Sequence, residues 1–166
     1  MKNIFLIGFM GSGKSTISQM LSEKLKVKQA EMDEIIIQEQ EMPITEIFEK
    51  FGEAHFRDIE TDLVKRLRTE NGIVVSCGGG AVLREENRKI MKEEGVIVLL
   101  TAKPETILER VKDDTNRPIL NGNMNVEYIT ALMEKRRTCY EDAADIIVAT
   151  DSKNVEEICE EILAKI

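Results

Sequence analysis

The chain of 166 residues has no tryptophan, two tyrosines, five phenylalanines and one histidine. So few aromatic side chains leave little for a platform on which bases could stack. A formal net charge of −8 argues against a general nucleic-acid binder, which needs a basic face, but leaves room for a local basic pocket around a small anion. The three cysteines, Cys77, Cys139 and Cys159, are odd in number and lack CxxC spacing. That excludes both a disulfide framework and a cysteine zinc site, and predicts reduced thiols in or near the core of a cytoplasmic protein. No apolar run approaches the length of a membrane span. Met1-Lys2 leads straight into an apolar strand pattern, with no room for a signal peptide. The length fits one domain covering residues 1–166, with 42% hydrophobic and 33% charged residues, as expected of a soluble globular protein.

What the chain does have begins at Ile4. Ile4 to Ile7 is a short apolar run suited to a buried parallel strand. It runs into Gly8-Phe9-Met10-Gly11-Ser12-Gly13-Lys14-Ser15-Thr16, the P-loop pattern. Ile17, Met20, Leu21 and Leu25 then recur at helical spacing. A motif between strand and helix is in the context that nucleoside triphosphate binding requires. Glycines let backbone N–H groups turn inward as an anion nest, and the helix aims its positive end at the same point. Lys14 reaches the β- and γ-phosphates, and the Ser15 hydroxyl is a Mg²⁺ ligand.

Further along, Val27–Met32 reads as a weak second strand ending in Glu31-Met32-Asp33. Ligands in α/β sheets sit beyond the carboxyl ends of strands, so these acids are expected to face the P-loop; Asp33 also reads as the N-cap of a helix Glu34–Gln40. Pro43 opens a helix with an apolar stripe of Ile44, Ile47, Phe48 and Phe51, stopped by Gly52. Phe56, Ile59, Leu63 and Leu67 are the buried face of the next. On it Arg57 and Glu60, spaced i, i+3, read either as an oriented pair or as a solvated surface ion pair. His55 lies off that apolar face and reads as a solvated surface residue.

Asn71-Gly72 marks a turn before the apolar strand Ile73–Cys77, which runs into Gly78-Gly79-Gly80. Three glycines at a strand's carboxyl end permit close approach by a ligand. That strand has no terminal Asp of the Walker-B type, so Glu31 and Asp33 are the candidates for the metal-side carboxylate. A polar helix Arg84–Glu94 stopped by Gly95, a strand Val96–Leu100 and a helix Pro104–Val111 follow. The stretch from Lys112 to Asn123 loses periodicity, and Arg117 within it reads as a lid arginine or as part of a plain linker. A long helix from Val126 to about Ala143 carries Arg136, and a strand Ile146–Ala149 and a helix through Ile158 and Ile162 close the chain.

Taken together, these motifs resemble those of the shikimate kinases. The resemblance rests on Gly8 to Thr16, Ile44-x-x-Ile47-Phe48, Gly52-Glu53, Phe56-Arg57, Glu60, Ser76-Cys77-Gly78-Gly79-Gly80, Arg117-Pro118-Ile119-Leu120 and Arg136-x-x-x-Tyr140, spread from end to end of the chain. It implies a P-loop, nucleoside-monophosphate-kinase-like α/β fold: a three-layer α/β/α sandwich around a five-stranded parallel sheet, with a helical substrate-binding insertion at about 33–61 and a mobile lid at about 112–124. It implies ATP-dependent phosphorylation of the shikimate 3-hydroxyl, in the pathway to chorismate and aromatic amino acids, by a cytoplasmic monomer with one Mg²⁺ and with neither nucleic acid nor membrane as partner. By the same resemblance, Gly11, Ser12, Gly13, Lys14, Ser15 and Thr16 bind the nucleotide phosphates, and Arg110 stacks on adenine. Lys14 and Arg117 steady the transferring phosphoryl group. Asp33 binds the shikimate hydroxyls and accepts the reacting proton. Arg57 and Arg136 clamp the carboxylate, with Glu60 holding Arg57, and Gly79 and Gly80 contact the ring through their backbone. Ser15 holds Mg²⁺ and Glu31 supports it. The chain departs from the family pattern at Glu31, where an Asp is usual, and at Ser152-Lys153-Asn154, where a Pro is usual in the adenine wall. The alternatives are another small-acid or nucleotide P-loop kinase, such as a gluconate kinase, and a nucleotide-dependent switch or idle binding module. A GTPase switch would need an Asn-Lys-x-Asp motif that the sequence lacks.

Overall fold

Alternation along the strands explains the layering. In a strand, neighbouring side chains point to opposite faces, so an apolar run must be covered on both sides. The computed structural model describes residues 1–112, 120 and 122–166, and in it β1 (Asn3–Ile7) is buried at every position. Phe5 and Ile7 join one core, Ile4 and Leu6 the other. The same split holds for Val75 against Val74 and for Ile97 and Leu99 against Val98 and Leu100.

The elements run β1, α1 (Lys14–Leu25), β2 (Gln29–Glu31), α2 (Met32–Gln40), α3 (Ile44–Phe51), α4 (Glu53–Leu67), β3 (Val74–Ser76), a 3₁₀ turn (Ala81–Leu83), α5 (Glu85–Glu94), β4 (Gly95–Thr101), α6 (Pro104–Val111), α7 (Val126–Ala143), β5 (Ile146–Ala149) and α8 (Val155–Lys165). All strand pairs are parallel, in the order β2-β3-β1-β4-β5. Helices α1 and α8 cover one face with Ile17, Leu21, Ile158 and Ile162. Helices α2 to α7 cover the other, through residues such as Ile36, Ile47, Phe56, Met91, Ile107 and Ile129. This is the expected three-layer α/β/α arrangement on a five-stranded parallel sheet. No described helix is long and apolar enough to cross a membrane.

Register sets the site. Ser76 lies opposite Leu6 on one side and Glu31 on the other. The P-loop, Glu31 and the triple-glycine segment therefore leave the sheet side by side, at its carboxyl edge.

Several sequence expectations are corrected. The second strand is Gln29–Glu31 rather than Val27–Met32, and α2 starts at Met32 with Glu31 at its N-cap, so Asp33 is a first-turn residue and not the cap. Met32 is fully buried, which both a strand and a helix satisfy. The third strand is Val74–Ser76, and Gly95 both ends α5 and begins β4. Phe51 does not complete the apolar stripe of α3: it is half exposed (52%) and packs on the ring of the exposed His55 at 4.8 Å. All three cysteines are free thiols, Cys77 and Cys159 in the core. Arg117 and most of the lid expected at about 112–124 lie outside the described residues.

Candidate active site

The phosphate cradle follows from local chemistry. Gly13 adopts φ 98° at the N-cap of α1, a conformation open to glycine and strained for other residues. It turns the chain so that the first-turn N–H groups, which have no acceptor inside the helix, face the loop. No acidic side chain stands in that first turn to compete for them. Lys14 is buried and its Nζ donates to the carbonyl oxygens of Gly8 (2.8 Å) and Phe9 (3.0 Å) across the loop. A cleft of about 260 Å³ opens here, lined by Gly11, Gly13, Lys14, Ser15, Thr16, Glu31, Asp33 and Arg110 with the start of the glycine segment. Ser12 does not line it: its side chain is turned into the core, 1% exposed, and its backbone N–H closes the loop on the Phe9 carbonyl at 3.1 Å.

Ser15 Oγ donates to Glu31 Oε1 at 3.0 Å. Burial pushes the Glu31 carboxyl above the ordinary glutamate value, while that hydrogen bond pulls against it. A hydroxyl and a carboxylate in contact are hard oxygen donors of the kind Mg²⁺ takes directly or through its waters. On the opposite wall, Arg110 donates to the Gly11 carbonyl (3.0 Å) and to Thr150 Oγ1 (3.2 Å), so one guanidinium spans the P-loop and the end of β5. Thr150, which sequence reasoning missed, is buried and donates in turn to the Thr101 carbonyl at 2.8 Å.

Beyond Asp33 lies a second group of charges, and this one is buried. Arg57 is 8% exposed and Glu60 1%. Arg57 Nη1 donates to Glu60 Oε1 at 2.6 Å, and Nε and Nη2 donate to Glu53 Oε2, each at 3.3 Å. The surface ion-pair reading of Arg57 and Glu60 is thereby overturned. Burial opposes the Arg57 charge, but Glu60 and Glu53 outweigh it and hold the guanidinium above its ordinary value. Burial pushes the Glu60 carboxyl up, with Arg57 pulling it back.

The triple-glycine segment closes over this pair. A Cβ on Gly80 would fall 2.5 Å from both terminal nitrogens of Arg57. One on Gly78 would fall 2.6 Å from Glu60 Oε2 and 3.0 Å from Asp33 Oδ1. One on Gly79 would stand 3.7 Å from Arg136 Nη1. So Asp33, Arg57, Glu60 and Arg136 converge on the glycine segment.

Arg136 is 4% exposed, lies over the Phe9 ring at 5.7 Å, and its Nη1 has no hydrogen-bond partner among the described residues. A buried guanidinium donor without a partner costs the fold free energy, unlike Arg57, which has two carboxylates. Such a group is suited to receiving a ligand carboxylate through its planar fork. Sequence reasoning missed Phe9 as its platform; nothing in the P-loop pattern marks that position. It also missed Glu53 as a second partner of Arg57, although the i, i+4 spacing was visible.

Against this geometry the comparisons are specific. The sequence model of the shikimate kinase family matches residues 10–166. The chain belongs to the shikimate kinase family. It is 44% identical over 163 residues to a shikimate kinase of Thermodesulfovibrio yellowstonii, covering 98% of this chain and 94% of that one. A shikimate kinase of Geobacter sulfurreducens is 42% identical over 161 residues, covering 97% and 88%. Among solved structures, the shikimate kinase of Acinetobacter baumannii in complex with shikimate superposes with a TM-score of 0.95 at 32% identity, covering 98% of this chain and 91% of that one. A gluconokinase of Sinorhizobium meliloti superposes with a TM-score of only 0.58 at 18% identity, a likeness of fold alone.

Proposed function

We infer that the protein transfers the γ-phosphoryl group of ATP to the 3-hydroxyl of shikimate, giving shikimate 3-phosphate and ADP. The observation that carries the substrate class is Arg136: a buried guanidinium whose Nη1 has no hydrogen-bond partner among the described residues, facing the glycine segment beside Arg57. A small ring bearing one carboxylate satisfies that donor and places its hydroxyls toward Asp33. Family membership favours shikimate over gluconate as that acid.

Placement supports the following roles. The P-loop N–H groups of Gly11, Gly13, Lys14, Ser15 and Thr16 would hold the phosphates, and Ser12 acts by shaping the loop from its buried side. Lys14, now on the carbonyls of Gly8 and Phe9, needs only side-chain rotation to reach a γ-phosphoryl oxygen. Asp33, at the joint between cleft and glycine segment, would orient the attacking hydroxyl and accept its proton. Arg57 and Arg136 would fix the carboxylate, with Glu60 holding Arg57. Gly79 and Gly80 would offer backbone contacts, and Arg110 would pack on adenine. Arg117 is proposed as the lid cation from the sequence resemblance alone. One Mg²⁺, which when bound neutralises charge on the transferring phosphates, would be held by Ser15 and, through water, Glu31. The whole chain is read as one such kinase domain, a cytoplasmic monomer acting on small molecules.

The test is ADP release from ATP and Mg²⁺ with shikimate, gluconate or a nucleoside monophosphate as acceptor. Only shikimate is expected to support turnover. Asp33→Asn should lower kcat by about a hundredfold to ten-thousandfold with binding retained. Arg136→Met should raise KM for shikimate about tenfold to a hundredfold, the cost of losing hydrogen bonds to a charged group. Arg136 makes no salt bridge among the described residues but its charge supports the buried Glu60 carboxylate, so melting should fall by less than in Glu60→Ala. Turnover with gluconate alone would overturn the substrate assignment.

A further inference from the structure

We propose that Tyr140 is a positioning residue for the phosphoryl acceptor: its hydroxyl, bound to the Gly79 carbonyl, sets the Gly79–Gly80 peptide plane and so aims the Gly80 N–H into the pocket beside Arg57. The proposal rests on the reading of that pocket as the shikimate site.

The bond is well enclosed. Tyr140 is 6% exposed and its hydroxyl donates to the Gly79 oxygen at 2.5 Å. Burial pushes the phenol above its ordinary pKa, so it remains a donor. A trans peptide points its C=O and N–H in opposite directions, and the chain has no cis bond among the described residues. Holding the Gly79 oxygen against α7 therefore turns the N–H of Gly80 the other way. Neither that N–H nor the N–H of Gly79 is hydrogen-bonded within the described structure.

Other bonds hold the segment on either side of that peptide: beyond it Asn87 donates to the Ala81 carbonyl and Arg88 to the Val82 carbonyl, and the remainder are backbone bonds. The Cys77 N–H donates to the Leu6 carbonyl (3.0 Å), Ala81 to Gly78 (3.1 Å) and Leu83 to Gly80 (3.1 Å). The Gly79–Gly80 peptide sits between these bonds, after β3 has ended and before the 3₁₀ turn begins. Flanked by two glycines, it has little intrinsic barrier to rotating as a unit. Tyr140 is the anchor of its carbonyl.

The helix makes the anchor informative. Arg136 is one turn earlier on α7, on the same face, and its Nη1 approaches the Cβ position of Gly79 at 3.7 Å. One rigid helix thus presents both the guanidinium for the carboxylate and the hydroxyl that orients the backbone donor. The distance between the two substrate contacts is fixed by α7 rather than by the glycine loop, which has no such rigidity of its own.

The experiment compares the full-length wild type with Tyr140→Phe and, as a control on the same helix, Tyr128→Phe. Steady-state constants for shikimate and for ATP are measured with thermal melting, and the Gly80 amide is followed by ¹⁵N NMR with and without shikimate. Tyr140→Phe should raise KM for shikimate about tenfold, as expected for a misaimed hydrogen bond, with KM for ATP unchanged. Its Gly80 amide should be displaced in the free protein and lose its response to shikimate. Tyr128→Phe should match the wild type throughout. Tyr140→Phe kinetics and a Gly80 signal equal to wild type would overturn the positioning role, as would a fall in melting temperature with the KM for shikimate unmoved. A wild type that does not turn over shikimate would overturn the functional reading and this role with it.

Discussion

Glu60→Ala is expected to destabilise the fold by about 3 kcal/mol and to remove measurable shikimate saturation. The magnitude comes from burial. Glu60 is 1% exposed and accepts from Arg57 at 2.6 Å, and Arg57 is itself 8% exposed. Removing one member of a buried pair strands the other charge, which costs roughly 3–5 kcal/mol. The lower end applies because Glu53 stays on the Nε edge of Arg57 and Glu60 Oε2 lacks a hydrogen-bond partner among the described residues. For a chain of this size the melting temperature should fall by roughly 6–12 °C. The double replacement Arg57→Met with Glu60→Leu separates structure from function. It puts apolar volume where the pair was, so stability should return to near or above wild type, because buried ion pairs are seldom better than well-packed apolar groups. Shikimate binding should not return. Calorimetry and shikimate-dependent turnover on the same samples check both halves. A double variant as unstable as Glu60→Ala would mean that the site needs the charges for folding itself.

That pair also shows where the sequence is silent. Residues whose role is fixed by local backbone chemistry were legible in one dimension: the P-loop from Gly8 to Thr16, the apolar runs of β1, β3 and β4, and Gly52 as a helix stop. The strand order was not, because pairing is a long-range choice. Yet it is the register of Ser76 with Leu6 and Glu31 that brings the site together. An arginine and a glutamate three residues apart look the same whether a helix face is wet or covered. Arg57 and Glu60 are covered because the triple glycine closes on them, and no local pattern encodes that. Phe51 fails in the opposite sense: it continues the stripe of α3 but falls at the helix end, where only the exposed His55 ring packs on it and half of it stays in solvent. Asp33 was legible as an acid facing the P-loop, though its place within α2 was not, since Met32 satisfies either a strand or a helix. Arg136 and Tyr140 were legible only as a spacing. Their meaning comes from Gly79, more than fifty residues away in sequence, whose carbonyl accepts from Tyr140 and beside which Arg136 lies.

Gly80→Ala is expected to lower kcat/KM for shikimate by about a hundredfold or more while leaving the protein folded. The argument separates backbone from side chain. Gly80 has φ −106° and ψ 10°, a conformation alanine can adopt, so the substitution brings no left-handed strain. What it brings is a methyl group 2.5 Å from Nη1 and Nη2 of Arg57 and 2.6 Å from Cζ. One of the two must move. Arg57 is the end of a side chain, but Glu60 and Glu53 hold it from two sides, so relief shifts the guanidinium and the glycine segment together by a fraction of an ångström to an ångström. A displacement of that size at a positioning group is enough to cost about a hundredfold. It also crowds the Gly80 N–H that Tyr140 aims into the pocket. Gly52→Ala is the matched contrast. Gly52 has φ +87° and no atom within 4 Å of its Cβ position, so alanine there meets strain without a clash. It should lower stability by about 1 kcal/mol and leave kcat/KM near wild type. Kinetics and melting of the two variants side by side give opposite patterns if the glycine segment is shaped for Arg57. Equal kinetic losses would mean that backbone freedom, rather than the space occupied by that guanidinium, is what Gly80 supplies.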